Sequence, residues 1–86
     1  MNIMAIKVKE VKPLNNMILS VLFENGVQKT YDVKPLLTED LFAPLEDNPA
    51  LFYNVKVICG GAAVAWDDNM DIPENELWIH GVEQNG

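Results

Sequence analysis

The stretch MILSVLFENGVQKTYDV, residues 17–33, decides the fold of this chain. It contains two apolar segments with strand-like alternation, joined by the short polar sequence Glu24-Asn25-Gly26. A type I turn followed by a left-handed glycine closes hairpins of this kind with a bulge. The stretch therefore predicts a β-hairpin.

Two registers of this hairpin are open. A two-residue loop at Asn25-Gly26 would place Phe23 opposite Gln28 and mix apolar and polar side chains on both faces. A three-residue loop pairs Phe23 with Val27 and gathers the apolar side chains on one face. Because a one-residue slip turns every side chain to the opposite face, the pattern favours the three-residue loop. The predicted pairs are Phe23 with Val27, Val21 with Lys29, Leu19 with Tyr31 and Met17 with Val33.

The opposite face of the hairpin is predicted to be the outer one. It carries Ile18, Ser20, Leu22, Gln28, Thr30 and Asp32. Two of these, Ile18 and Leu22, are aliphatic side chains that an outer face would expose. We therefore place them in a candidate interaction surface.

Eighty-six residues are enough for one domain, which we assign to residues 1–80, with a flexible tail at 81–86. The single Cys59 cannot form an intrachain disulfide, which is typical of a reducing compartment. No stretch has the pattern of a signal peptide or the length of a membrane span. We expect a cytoplasmic protein without membrane contact.

Charge is divided unevenly along the chain. Residues 1–36 carry five lysines and three acids, a net charge of +2, whereas residues 37–86 carry one lysine and ten acids, a net charge of −9. The chain contains no arginine, and nucleic-acid recognition relies on arginine and lysine, so we expect no direct nucleic-acid binding. The acidic half indicates either general solubility or a small basic protein partner.

The remaining segments predict an α+β domain. A strand at Ala5–Val11 and a turn at Lys12–Asn16 precede the hairpin and give an antiparallel three-stranded meander. Two short helical segments are expected next, at Leu36–Phe42 and from Pro49 onward, connected through Ala43-Pro44-Leu45. Their apolar residues are predicted to cover the sheet: Leu37, Leu41, Leu45, Leu51 and Phe52.

A second hairpin is predicted over Val55–Trp66, with a two-residue loop at Gly60-Gly61. It pairs Val57 with Val64. Small alanines lie on its other face, which indicates close packing by another part of the chain or by a second copy in a homo-oligomer. A last short helix is expected over Ile72–Trp78, capped by either Asp71 or Ile72.

No residue pattern identifies a catalytic, cofactor or metal site. The acidic run that begins at Asp67 lacks the glycine and glutamate of a calcium loop. His80 and Cys59 are the only histidine and cysteine, too few for a zinc site. We expect Cys59 to be buried and His80 to be exposed.

Three further residues are candidates for an interaction surface. Trp78 follows a polar helix and has the character of an interface anchor. Trp66 and Asp71 flank the acidic turn after the second hairpin, where a ligand would be expected to act. Neither tryptophan has a feature that excludes the alternative, a place in the core.

Short stretches in a fixed order carry a family resemblance. They are IKVKEVKPL (6–14), LFENG (22–26), YDVKPLL (31–37), FAPL (42–45), LFYNVKV (51–57), AVAW (63–66) and DIPENEL (71–77). With them the chain resembles domain-of-unknown-function family 2442 of small bacterial proteins. The resemblance implies an α+β domain without established catalytic residues. It also implies a gene often placed beside one for a second small protein, in a toxin–antitoxin-like arrangement.

These observations lead to three hypotheses for the function. The first is a non-enzymatic protein-interaction module, antitoxin-like or regulatory, that binds a small basic protein. The second is a small-molecule sensing domain with a pocket between the helices and the sheet. An enzyme of unknown class is the third and least favoured.

Overall fold

The computed structural model describes residues 6–84, which form an α+β domain with two antiparallel sheets. The first sheet has the strand order β1-β2-β3-β7, formed by β1 (Val8–Leu14), β2 (Ile18–Phe23), β3 (Gln28–Asp32) and β7 (Val82–Glu83). The second has the order β4-β5-β6, formed by β4 (Lys56–Ile58), β5 (Ala63–Asp67) and β6 (Met70–Pro73). The α-helices are α1 (Ala43–Asp47) and α2 (Glu74–His80). Short 3₁₀ turns lie at Asn15–Met17, Lys34–Thr38, Asp40–Phe42, Pro49–Asn54 and Cys59–Gly61.

The hairpin of β2 and β3 has the predicted bulged register. Leu19 pairs with Tyr31 and Val21 with Lys29. The amide of Phe23 donates to the carbonyl of Val27 at 2.9 Å, and Gly26 closes the loop at a φ of +90°. The predicted face is buried, since Leu19, Val21 and Phe23 have no exposed surface. The alternation of side chains and the loop glycine were sufficient to predict this element.

The first strand is longer than expected at its carboxyl end. Lys12, Pro13 and Leu14 belong to β1, and the turn begins only at Asn15. Proline lacks an amide hydrogen, and β1 lies at the edge of its sheet, where one side of the backbone needs no strand partner. The prediction of a turn from Lys12 was wrong for this reason. Ala5, the predicted start of the strand, lies outside the described residues.

The segment between the two hairpins is a series of 3₁₀ turns around one α-helical turn. The connection predicted at Ala43-Pro44-Leu45 is instead helix α1, with its proline in the first turn, where no amide hydrogen is required. Leu45 and Phe52 are buried as expected. Leu41 is 55% exposed, so its predicted place over the sheet was wrong.

The second hairpin has the predicted register, with Val57 opposite Val64. Its turn differs, because Cys59 also adopts a positive φ of 53° and leaves the strand together with Gly60 and Gly61. The Cys59 side chain is consequently exposed, and the expectation of a buried cysteine was wrong. Gly61 packs against β1, where an added Cβ would lie 2.6 Å from the Val8 carbonyl oxygen.

Residues 70–73 form strand β6 and not the start of the last helix. Met70 and Ile72 point into the core while Asp71 is exposed, as expected for a strand. Helix α2 begins at Glu74 after Pro73, which is extended with a ψ of 156°. Neither Asp71 nor Ile72 is the cap.

The carboxyl-terminal segment also differs from the predicted flexible tail. Strand β7 pairs with Lys29 and Thr30 of β3, and the Gln84 amide donates to the Gln28 carbonyl at 2.8 Å. Residues 82–84 are therefore part of the first sheet. Residues 85–86 lie outside the described range.

One core joins both sheets and the helical segment. Its aromatic centre is Trp66, which stacks with Phe52 at 6.0 Å and meets Phe42 edge-on at 6.2 Å. The indole nitrogen of Trp66 donates to the Phe52 carbonyl at 2.9 Å, so the buried polar atom has a partner. No helix among residues 6–84 is long and apolar enough to cross a bilayer.

Candidate functional site

A cleft lies between β3, the 3₁₀ turn at Lys34–Thr38 and helix α2. Its volume is about 290 Å³. Aromatic, apolar and ionisable side chains line it together: Tyr31, Asp32, Pro35, Leu36, Glu76 and His80. An apolar wall with a few convergent polar groups is typical of a small-molecule site.

Glu76 is the centre of the polar network in this cleft. Its Oε2 accepts a 2.8 Å hydrogen bond from the Tyr31 hydroxyl and lies 3.0 Å from His80 Nδ1. Glu76 and His80 are four residues apart, and this spacing places them on one face of α2. Tyr31 reaches them because its side chain points inward from β3. The three side chains thus form a continuous chain from the core to the surface.

The environment of Tyr31 strongly favours the neutral phenol. Burial, the hydrogen bond to Glu76 and its negative charge raise the pKa of Tyr31 well above its usual value. The carboxylates of Glu39 and Asp32 raise this pKa further. The Tyr31 hydroxyl therefore acts as a hydrogen-bond donor and is a poor general base at neutral pH.

Asp32 is held as a charged carboxylate by Lys34. Partial desolvation raises the pKa of Asp32, but the Lys34 amide and ammonium lower it by more, so the net direction is downward. The amide lies 2.9 Å and the ammonium 3.0 Å from Asp32 Oδ1. The Lys34 ammonium also donates to the Asn16 carbonyl at 2.7 Å.

A second, smaller cleft of about 180 Å³ lies on the outer face of the second sheet. Lys56, Ala65 and Asp71 form one row across its three strands. Ala65 is the floor because its side chain is short, and Asp67 and Asp68 form an acidic end. Asp67 Oδ1 is occupied by the turn, where it accepts from the amides of Asn69 and Met70.

The outer face of the first sheet has a third, polar depression of about 140 Å³. It is lined by Glu10, Lys12, Ser20, Leu22 and Gln28. The Gln28 side-chain amide donates to the Ser20 hydroxyl at 2.8 Å, so the polar groups at its centre satisfy each other.

Most carboxylates have no cationic partner among the described residues. In the part of the chain that the structure describes, Lys34 forms an ion pair with Asp32, and the contact of His80 with Glu76 is an ion pair only when the imidazole is protonated. Of the ten acids in residues 37–84, the nine other than Glu76 form no ion pair with any other described residue. Eight of the ten are exposed: Glu39, Asp40, Glu46, Asp47, Asp67, Asp68, Asp71 and Glu83.

A comparison with known protein families shows to which family the chain belongs. The family described as "Protein of unknown function (DUF2442)" matches residues 8–82. The chain belongs to this family. No match was found among curated proteins or among solved structures.

The residues that the sequence predicted as an interaction surface do not lie together in the DUF2442 fold. Asp71 is exposed beside the second cleft, and Leu22 lines the polar depression. Ile18 and Leu22 are half-buried, because β2 lies between β1 and β3 in the sheet. The expectation that both side chains are exposed was therefore wrong.

The two tryptophans of this DUF2442 chain are not free surface residues. Trp66 is 5% exposed and belongs to the core, so its predicted place in an interaction surface was wrong. Trp78 is half-buried, edge-on to Phe23 at 5.0 Å, and the Lys29 ammonium lies 4.0 Å from its ring centroid. The Lys29 ammonium also donates to the Trp78 carbonyl. Trp78 thus holds α2 against the first sheet.

Sequence reasoning missed the Tyr31–Glu76 contact. The spacing of Glu76 and His80 was a signal for a shared helix face, but nothing local indicated that this face meets β3. The expected exposure of His80 agrees with the structure. Within residues 6–84 no group of three side chains is arranged to hold a metal ion.

Proposed function

We propose that this DUF2442 protein is a non-enzymatic protein-interaction module whose acidic half binds a small basic protein. The observation that carries this proposal is the set of nine carboxylates in residues 37–84 that form no ion pair with any other described residue. Unpaired like charges repel one another and weaken the compact state. A partner rich in lysine or arginine would remove this repulsion and gain attraction.

The second sheet offers the best-defined contact surface for such a partner. Asp67, Asp68 and Asp71 surround a shallow cleft with an alanine floor, and Lys56 is the one cation among its lining residues. A long basic side chain can lie in a cleft of this depth with its charge at the acidic end. Rim charges of this kind mainly raise the association rate and select the partner by sign.

The finer form of the proposal is an antitoxin-like or regulatory role. It rests on the resemblance to a family encoded beside a second small protein, together with the acidic surface. In this role the protein would neutralise a basic partner by covering its surface.

Co-expression with the product of the adjacent gene tests the proposal. We expect a complex that elutes as one peak in size-exclusion chromatography at low ionic strength and dissociates as salt is raised. A monodisperse protein that forms no complex with this product would contradict the proposal.

Small-molecule sensing is the second candidate, and the cleft around Glu76 favours it. The cleft lies between a helical segment and the sheet, as the sensing hypothesis requires. Because Trp66 is buried, the response to a ligand is expected at Leu36 and Glu76 and not near Trp66. Chemical-shift mapping with a ligand library distinguishes this candidate from the first.

A further inference from the structure

We propose that the cleft between β3 and α2 is a binding site for a small organic cation, a guanidinium or ammonium group on a short apolar stem. This inference rests on the second candidate function, for which it names the class of ligand. It does not depend on the acidic surface of the second sheet or on a basic protein partner.

The shape of the cleft sets the size of the ligand. Its volume of about 290 Å³ is at the lower end of the range, about 300–1,000 Å³, that is usual for ligand pockets. Pro35 and Leu36 supply an apolar wall on one side, and the polar groups of α2 lie on the other. A stem of three or four methylene groups can lie along this wall with its polar end directed to Glu76.

Glu76 has one carboxylate oxygen free to receive the ligand. The Tyr31 hydroxyl and His80 Nδ1 both contact Oε2, whereas Oε1 forms no hydrogen bond or ion pair with the described residues. A carboxylate can accept about four hydrogen bonds, so these two contacts leave capacity for more. A guanidinium or ammonium group is the donor that forms the strongest hydrogen bonds with such an oxygen.

The charges around the cleft favour a cation over an anion. Glu76, Glu39 and Asp32 are all close enough to act electrostatically on Tyr31. Lys34 compensates only one of them, since its ammonium pairs with Asp32. The carboxylates near Tyr31 therefore outnumber the one ammonium group beside them, and a cationic ligand would gain both a hydrogen bond and charge attraction.

Chemical-shift titration of the ¹⁵N-labelled protein with n-butylguanidinium tests the proposal. Its neutral analogue n-butylurea has nearly the same shape and serves as the matched ligand. We expect saturable shifts at Leu36, Glu76 and His80 with n-butylguanidinium, in the millimolar range that a ligand of this size allows. n-Butylurea is expected to bind at least about tenfold more weakly, because it lacks the charge.

Two variants make the test specific to Glu76. Glu76→Gln keeps an oxygen that can accept from Tyr31, so the fold is retained while the charge is lost; circular dichroism verifies this. We expect it to weaken n-butylguanidinium binding about tenfold. Asp68→Asn removes one charge from an exposed turn outside the cleft and should leave binding unchanged.

Two further ligands identify the source of the cation. Agmatine represents a free metabolite, and N-acetyl-arginine methylamide represents an arginine side chain presented by a protein, with the citrulline analogue as its neutral control. Saturable, Glu76-dependent binding of either one supports the proposal, and the tighter of the two gives the source.

Two results would overturn the inference, and they differ in what they mean for sensing. If n-butylguanidinium causes no saturable shifts but a neutral or anionic compound maps to the cleft, the ligand class is wrong and sensing stands. If no compound of a mixed library maps to the cleft, the inference and the sensing function both fail.

Discussion

The Tyr31 hydroxyl donates a 2.8 Å hydrogen bond to Glu76, a residue 45 positions later in the chain. This contact joins strand β3 of the Met17–Val33 hairpin to helix α2. It forms part of the wall of the cleft between β3 and α2. It also gives Tyr31 a role in stability that can be measured separately from ligand binding.

Replacing Tyr31 with phenylalanine should lower the free energy of unfolding. The ring still fills its place in the core, but the hydrogen bond to a charged, half-buried acceptor is lost, at a cost of about 1 kcal/mol. Urea denaturation measures the change. Tyr53→Phe is the matched control, since Tyr53 is 56% exposed and its loss of a hydroxyl should change stability by less than about 0.5 kcal/mol. Equal effects of the two variants would contradict the assigned role of Tyr31.

Stability at alkaline pH should depend on Tyr31. Because the folded state raises the pKa of this phenol, the stabilisation is complete below the ordinary tyrosine pKa. It is lost as pH rises above that value, since the unfolded chain then releases a proton that the folded chain retains. One such group can change the free energy of unfolding by at most about 1.4 kcal/mol per pH unit. Urea denaturation from pH 8 to 11 should show a shallower decline for Tyr31→Phe than for the wild type, and parallel curves would refute the prediction.

Leu45→Ala and Leu41→Ala should differ sharply, although both lie in the same helical segment. Leu45 has no exposed surface, so its truncation leaves a cavity and should cost about 2–5 kcal/mol. Leu41 is 55% exposed, and its truncation should cost less than about 0.5 kcal/mol. Thermal or urea unfolding of the two variants provides the measurement. A larger loss for Leu41→Ala would show that the helical segment packs differently.

Alanine at Gly61 should be more harmful than alanine at Gly60. Both glycines have a positive φ, 100° at Gly61 and 65° at Gly60, so either substitution costs roughly 1–2 kcal/mol in backbone strain. At Gly61 the new methyl group would also meet the Val8 carbonyl oxygen at 2.6 Å, whereas at Gly60 nothing lies within 4 Å. Displacement of β1 should add about 1–3 kcal/mol to the cost at Gly61. Similar unfolding free energies for the two variants would rule out the close approach of this turn to β1.

Cys59 should react with a thiol reagent in the folded protein. Its side chain is exposed in the turn of the second hairpin. We expect Ellman's reagent to modify it under native conditions at a rate close to that in urea. Protection in the native protein, lifted only on unfolding, would restore the original expectation of a buried cysteine.

The elements that could be predicted from the sequence are those whose evidence is local. The Met17–Val33 hairpin has its alternation and its loop glycine within one short stretch, and the register followed from them. The Val57–Val64 pairing was predictable for the same reason, since Gly60-Gly61 lies at its centre.

The elements that were missed depend on contacts between distant residues. Strand β6 presents only two inward apolar residues, Met70 and Ile72, which is too short a pattern to distinguish from a helix start beside Pro73. Strand β7 exists because it pairs with Lys29 and Thr30, more than fifty positions earlier. The Tyr31–Glu76 contact likewise joins residues that are far apart in the sequence, so the cleft between β3 and α2 could not be predicted either.

The central claim is that the acidic half binds a basic protein, and the salt dependence of that binding tests it most directly. Isothermal titration calorimetry of the purified adjacent-gene product at several salt concentrations would compare the wild type with the triple variant D67N/D68N/D71N. The matched control E39Q/D40N/E46Q removes the same charge from exposed positions in the helical segment.

We predict a Kd that rises steeply with salt for the wild type. The second-sheet variant should bind about tenfold more weakly and with a shallower salt dependence, and the control should fall between the two. Absence of binding, or an affinity unaffected by salt and by both variants, would contradict the account.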